Sequence, residues 1–164
     1  RDTKADLVAM IGKLRERIPN LVLRTSLIAG LPYEGEEELE ELADFIREMR
    51  IERAGIFTFS PEEDTPAAEM PGQIDEEVKQ ARYDQLMTLQ HGISLAQNKA
   101  RVGTTCRVLV ERKRGNRYVG RSEFEAPETD GVILLSGVDA NDIGNFVRAR
   151  ITEARTYDLV GVKL

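Results

Sequence analysis

The spacing of apolar residues changes at Gly103, and this change constrains the fold more than any other feature of the sequence. Before Gly103, segments with the period of a helix alternate with two short β-rich runs. Between residues 104 and 164, short alternating runs follow one another with no helical period between them. The first pattern is typical of a parallel α/β sheet and the second of a small all-β barrel. The sequence therefore predicts an α/β part followed by an all-β part.

Helices and strands are expected to alternate in the first part. The helices are predicted over about 3–18, 36–50 and 75–101, and the strands over 21–29 and 54–59. Asp2 and Thr3 can cap the first helix. The longest helix is expected to bury Val78, Leu86, Leu89, Ile93, Ala96 and Ala100. Two parallel strands cannot cover their own faces and edges, so this part is expected to close a larger barrel or open sheet that begins outside the chain.

Five strand-like runs fill the second part. They are TTCRVLVER, RYVGRSE, DGVILLSG, NFVRARITEA and YDLVGVKL, with turn residues between them. Short strands at this spacing predict a small antiparallel five-stranded barrel. We therefore expect residues 1–74 to complete an α/β barrel, residues 75–102 to form a connecting long helix, and residues 103–164 to form the β-barrel.

Few metal ligands and an uneven charge limit the possible functions. With one cysteine and one histidine, the chain cannot form an internal disulfide or hold a metal cluster alone. The single Cys106 lies in an alternating run and is interpreted as a packed residue rather than a reactive thiol. Residues 1–102 carry 13 Lys and Arg against 20 Asp and Glu, whereas residues 103–164 carry 10 against 9. Neither part has the basic excess of an autonomous nucleic-acid binder.

The sequence shows no sign of a membrane segment. No apolar run approaches the roughly 18 residues of a transmembrane helix, and the first residues lack the layout of a signal peptide. A cytoplasmic location without a membrane partner is therefore expected.

Several separate segments, in order, carry a resemblance to a known family. They are LRTSLIAGLPYEGEEELEELADFI, IFTFSPEEDTPAA, EEVKQARYDQLMTLQHGISLAQN, YVGRSEFEAPETDGVI and NFVRARITEARTYDLVG. Together they resemble the C-terminal half of the radical S-adenosylmethionine methylthiotransferases, and most of all the RimO family. That family methylthiolates the β-carbon of an aspartate in small-subunit ribosomal protein S-twelve.

The resemblance implies a fold and a set of cofactors. The fold is the last part of a radical S-adenosylmethionine (β/α) partial barrel, followed by a TRAM domain, a small OB-like barrel that docks the substrate. Family members bind S-adenosylmethionine and two four-iron four-sulfur clusters. None of the cluster cysteines is in this chain, so no catalytic or metal-ligating residue is assigned here, and this piece alone is expected to be inactive.

Residues at the ends of the two predicted strands resemble the family's cofactor contacts. In barrels of parallel strands, active groups lie at the carboxyl ends of the strands. Ile28 and Gly30 match an adenine contact, with a core residue and a plain turn as the alternative, and Phe59 and Ser60 are expected to form a second contact. Arg24 lies in a run otherwise fit for burial, where a guanidinium is costly without an anion. Strand alternation places it on the face of Ile28, so it is predicted to bind the cofactor carboxylate, with a structural ion pair as the alternative.

The chain departs from the family pattern after the first strand. The family has a glycine where this sequence has Tyr33, and a tyrosine would be strained there if the position required a positive φ. Glu34 still matches. Gly35 replaces a capping threonine and is a weaker but acceptable cap.

The substrate implied by the resemblance is a protein, and RNA stays an alternative. The first hairpin of the barrel has a basic stretch, Arg107, Arg112, Lys113, Arg114, Arg117 and Arg121. Acidic residues interleave with it, and the run 62–64 reads Glu-Glu-Asp, which would repel phosphates and attract a basic protein tail. Expected docking residues are Arg117, Arg121, Glu125 and Asp130. The tRNA-modifying MiaB family and a non-catalytic binding module are the other readings.

Overall fold

The computed structural model describes residues 3–164, which divide into two compact units with the boundary between residues 93 and 94. Its α-helices are α1 Lys4–Arg17, α2 Glu36–Met49, α3 Pro66–Glu69 and α4 Glu76–Ala100, with a short 3-10 helix at Ala140–Asp142. Its strands are β1 Arg24–Ala29, β2 Arg53–Thr58, β3 Thr105–Arg114, β4 Arg117–Arg121, β5 Ile133–Ser136, β6 Phe146–Ala154 and β7 Leu159–Lys163.

The first unit is built on one pair of parallel strands. β1 and β2 run in register from Arg24 opposite Arg53 to Ala29 opposite Thr58. One face packs on the helices through a buried apolar cluster formed by Ala29, Leu39, Ala43, Ile46, Ile56, Leu86 and Ile93. The parallel α/β arrangement is thus present, and residues 3–164 add no further strand to this sheet.

Local chemistry explains where the first two helices begin. Thr3 caps α1, and its side chain exchanges hydrogen bonds with Asp6, whose pKa these bonds lower. Asp2, the other predicted cap, lies outside the described residues. α2 begins after Gly35, whose N–H donates to Glu38 Oε2 at 2.9 Å. This bond is one half of a capping box, and the other half, from the Glu38 N–H to an N-cap side chain, is absent because Gly35 has no side chain.

The buried face of α4 is more polar than the sequence predicts. Leu86 and Ile93 are buried as expected, but Val78 is 39% exposed and the two alanines near the end of the helix, at 96 and 100, are exposed. The buried stripe is completed by Lys79, Arg82, Gln90, Ser94 and Asn98. No helix formed by the described residues is long and apolar enough to cross a membrane.

The second unit is a closed five-stranded barrel in the order β3-β4-β5-β7-β6. Its core consists of Val108, Val110, Ile133, Leu135, Val147, Ala149, Ile151 and Leu159. The expectation of five strands is confirmed, but the expectation of a fully antiparallel barrel is wrong, since β5 and β7 pair in parallel. A closed ring with an odd number of strands cannot alternate direction throughout. At least one parallel pair is therefore required, and it lies between β5 and β7.

Candidate functional site

The loop after β1 is held by a glycine backbone and a buried carboxylate. Gly30 is buried with φ of 81°, a conformation that L side chains rarely adopt. A Cβ at this position would overlap the side chain of Lys79. The Gly30 N–H donates to Glu34 Oε1 at 2.9 Å. The position predicted to contact the cofactor adenine is thus one where only glycine fits.

A buried ion pair fixes the same loop from α4. Arg82 Nη1 donates to the carbonyl oxygen of Glu34 at 2.8 Å and to its Oε1 at 2.9 Å, and both side chains are 8% exposed. Arg82 Nη2 also lies 3.2 Å from Glu36 Oε1. Removing one partner of such a buried pair leaves a charge uncompensated, so the pair holds the loop strongly to the helix. The family motif identified Glu34, but no local signal identified Arg82, which lies 48 residues away.

Tyr33 has a positive φ, the backbone conformation in which a tyrosine at this position was expected to be strained. Its φ is 65°, and its N–H donates to the carbonyl oxygen of Gly72 at 2.8 Å. The ring is 64% exposed and lies against Gly72, where a Cβ would overlap it. The tyrosine therefore bears a backbone cost that glycine would avoid.

The end of β2 lies beside the end of β1, because parallel strands present the same ends at one edge. The Phe59 N–H donates to the carbonyl oxygen of Ala29 at 2.8 Å. The Phe59 ring is half-buried, and the ammonium of Lys79 lies 5.5 Å from its centroid. Ser60, the next predicted contact, is exposed. The structure thus brings Gly30 and Phe59 together.

Arg24 and Ile28 lie on the open face of the two-stranded sheet. Ile28 is 48% exposed and pairs across the sheet with Phe57, which is 55% exposed. Arg24 is exposed on the same face, four residues earlier and so about 13 Å away along the strand. The predicted alternation is present. The burial cost that the sequence argument assigned to Arg24 does not arise in this chain, because its side chain is exposed.

These features fit one of the implied cofactors and not the other. S-adenosylmethionine combines an adenine with a carboxylate. The open apolar face and the backbone of Gly30 suit the adenine, and Arg24, about 13 Å from Ile28 along the strand, suits the carboxylate. Iron–sulfur clusters require several thiolates. Residues 3–164 contain no group of three or more His, Cys, Asp or Glu arranged to hold a metal ion. No step of cluster chemistry is therefore assigned to these residues.

Two of the predicted docking residues are engaged inside the barrel unit. Glu125 is 5% exposed and accepts hydrogen bonds from the N–H and Oγ of Ser122, at 2.9 and 2.6 Å, and from Arg101. Arg121 Nε donates to Glu111 Oε1 at 2.7 Å, and its Nη1 donates to the carbonyl oxygen of Glu125. These contacts fold the turn after β4 onto the barrel.

The predicted docking residues come together only in part. A cavity of about 310 Å³ is lined by Arg121 and Asp130, together with Glu111, Arg112, Arg114 and Glu128. Asp130 Oδ2 accepts from the Ala126 N–H at 2.8 Å. Arg117 is exposed on β4 and Glu125 is buried, and neither lines this cavity. With Asp158, the lining includes three arginines and four carboxylates, so the cavity has no strong preference for one sign of charge.

A second surface of the barrel joins Arg107, from the predicted basic stretch, to residues of β6 that the sequence did not single out. Arg107 of β3 lies opposite Arg148 of β6, and both side chains are exposed. The guanidinium of Arg107 stacks on Phe146 at 4.5 Å from the ring centroid, and Phe146 is 60% exposed. Like charges directly opposite each other on a sheet are unfavourable, so this pairing costs some stability. Arg107 and Arg148 are 41 positions apart in the sequence, so only the strand register shows that they are neighbours.

A cavity of about 390 Å³ adjoins this surface and includes the only cysteine. Cys106, Arg107 and Phe146 are among its lining residues. Burial raises the pKa of the Cys106 thiol. A protonated thiol is a poor nucleophile, in agreement with the interpretation of this residue as packing.

Comparison with known proteins gives the family. The TRAM domain model matches residues 102–163. The chain is 47% identical to the ribosomal protein uS12 methylthiotransferase RimO of Desulforamulus reducens over 162 residues, 97% of this chain and 36% of that protein. The RimO proteins of Clostridium perfringens and Lachnoclostridium phytofermentans are 46% and 45% identical, over 99% and 98% of this chain and 36% and 37% of their own lengths. The chain thus spans about a third of the length of these relatives, 36% in the first of them. By sequence, it belongs to the RimO family.

Proposed function

We propose that this chain is part of a radical S-adenosylmethionine enzyme that methylthiolates an aspartate of ribosomal protein uS12. The observation that carries the proposal is the edge where β1 and β2 end, where the Phe59 backbone bonds to Ala29, the residue before Gly30, and Lys79 contacts both Gly30 and the Phe59 ring. S-adenosylmethionine supplies a 5'-deoxyadenosyl radical on reductive cleavage at an iron–sulfur cluster, which other residues would hold.

In this proposal, residues 1–74 supply one wall of the cofactor site. Ile28 gives an apolar contact to the adenine, Gly30 allows close backbone approach, and Phe59 with Ser60 completes the adenine side. Arg24 is exposed on the face of Ile28, where it can bind the carboxylate of the cofactor. Residues 75–102 connect this wall to the TRAM barrel at 103–164.

Cofactor binding tests this wall. In a longer protein that contains this chain, the dissociation constant for S-adenosylmethionine is measured by calorimetry for the native sequence and for Arg24→Leu. Loss of a charged contact should weaken binding by about tenfold or more. Arg50→Leu, at another exposed arginine of the same unit, serves as a matched control and should leave the constant unchanged. Unchanged affinity in Arg24→Leu would remove Arg24 from the site.

Charge favours a protein substrate over RNA. Residues 62–64, two glutamates and an aspartate, are all exposed in the loop that follows Phe59. The part of the chain up to residue 102 carries seven more acidic than basic residues, 20 against 13. Such a surface repels phosphates and attracts a basic protein segment. On the barrel, Arg117, Arg121 and Asp130 are the proposed docking residues, with Glu125 acting through the turn that it holds.

A tRNA adenosine, as in the MiaB family, is the second candidate substrate. The opposed pair Arg107 and Arg148 beside the exposed ring of Phe146 favours it, since stacked aromatic and basic groups suit nucleic acids. Titration of the longer protein against uS12 and against tRNA, at two salt concentrations, separates the candidates. The proposal expects tighter binding of uS12. A dominant tRNA affinity that falls steeply with salt would replace it.

The proposal also covers the activity of the chain alone and the location of the enzyme. The chain alone is inactive, because the cluster ligands lie elsewhere. The enzyme acts in the cytoplasm, where ribosomes are found. If the longer protein lacks the C-x-x-x-C-x-x-C cluster motif, the chain is instead a binding module without catalysis.

A further inference from the structure

Lys79 is a buried cation in contact with both strand ends of the first unit. It lies in the first turns of α4 and is 2% exposed. Its side-chain carbons pack against Gly30, so closely that a Cβ there would overlap them. Its ammonium lies 5.5 Å from the centroid of the Phe59 ring and 2.6 Å from Glu76 Oε1. One side chain therefore contacts the segment after β1 and the segment after β2.

Stability alone does not explain a lysine at this position. Burying an ammonium is costly, and its carboxylate partner, Glu76, is 78% exposed and so offers little compensation in a low dielectric. Methionine would fill a similar volume against Gly30 without a charge. What methionine would lack is the attraction between a cation and the face of the Phe59 ring.

We propose that Lys79 is a positioning residue for the adenine side of the cofactor site, a role that rests on the proposed function. Its carbon chain sets the spacing between Gly30 and Phe59, and its ammonium holds the orientation of the ring. A ring that is already oriented costs less conformational entropy when a nucleobase packs against it. Lys79 itself does not touch the cofactor.

The experiment compares affinity with stability in the longer protein that contains this chain. The dissociation constant for S-adenosylmethionine and the melting temperature are measured for the native sequence, Lys79→Met, Phe59→Leu and the double variant. Lys99→Met, at an exposed lysine of the same helix, is the matched control. We expect Lys79→Met to weaken binding about tenfold while the melting temperature stays equal or rises, because a buried charge is removed. A purely structural lysine would not give this combination.

The double variant tests whether the effect passes through the ring. If Lys79 acts by orienting Phe59, then Lys79→Met should weaken binding in the native background and have little further effect in the Phe59→Leu background. Native affinity in Lys79→Met, or full additivity with Phe59→Leu, would overturn the inference while leaving the proposed function intact. Failure of the native protein to bind S-adenosylmethionine would overturn both.

Discussion

Replacing Glu125 by alanine should destabilise the barrel unit by about 3 kcal/mol. The carboxylate accepts two hydrogen bonds from Ser122 and one from Arg101 while only 5% exposed. Truncation leaves the Ser122 N–H without its acceptor and Arg101 without its carboxylate. Removing one partner of a buried pair costs about 3–5 kcal/mol, and the lower end applies because the side chain of Arg101 is 18% exposed.

Hydrogen–deuterium exchange measures this change for the barrel strands separately from the first unit. A loss of about 3 kcal/mol corresponds to exchange roughly a hundredfold faster for the most protected amides of β3–β7. Glu123→Ala is the matched control, since Glu123 is exposed in the same turn and should change stability by less than about 0.5 kcal/mol. Equal exchange in the two variants would refute the structural role of Glu125 and favour a direct role in docking.

Three further predictions concern single positions. Tyr33→Gly should raise the free energy of unfolding, measured by urea titration, by about 0.5 kcal/mol. Glycine removes the strain of the positive φ, and this gain exceeds the packing lost with a mostly exposed side chain. A clear loss of stability would contradict this. Cys106 should react with iodoacetamide at pH 7.5 at least about tenfold more slowly in the native state than in urea, since burial raises the pKa of its thiol; equal rates would argue against a packed thiol. The hydrogen bond from Lys163 lowers the pKa of Asp142, so its contribution to stability is present above the ordinary carboxyl range and is lost as the pH falls through the folded-state value. The melting temperature should therefore drop more between pH 6 and pH 3 in the native protein than in Asp142→Asn, and identical drops would contradict the assignment.

The sequence predicted the order of elements because their signals are local. Helical and alternating spacings of apolar residues are set by neighbours within a few positions, and the predicted strands and main helices are all present. The direction of the last strand pair was predicted wrongly, although counting the strands contained the answer, since a closed ring of five must include a parallel pair.

The polar residues of the site were harder to predict because their roles depend on distant partners. Lys79 was missed, yet it lies seven residues before Leu86 and fourteen before Ile93, on the stripe that α4 buries. Glu125 was interpreted as a docking residue, whereas its spacing from Ser122 matches the reciprocal bonding of a capping box, a local signal that favours an internal role. The burial of Arg82 against Glu34 required the fold itself.

The most direct test of the account is the reaction itself. A longer protein that contains this chain, with its clusters reconstituted and reduced, is incubated with uS12, S-adenosylmethionine and a sulfur source, and the uS12 peptides are read by tandem mass spectrometry. We expect a methylthio group on the β-carbon of one aspartate. Unmodified uS12, together with a methylthiolated adenosine when tRNA is supplied instead, would contradict it.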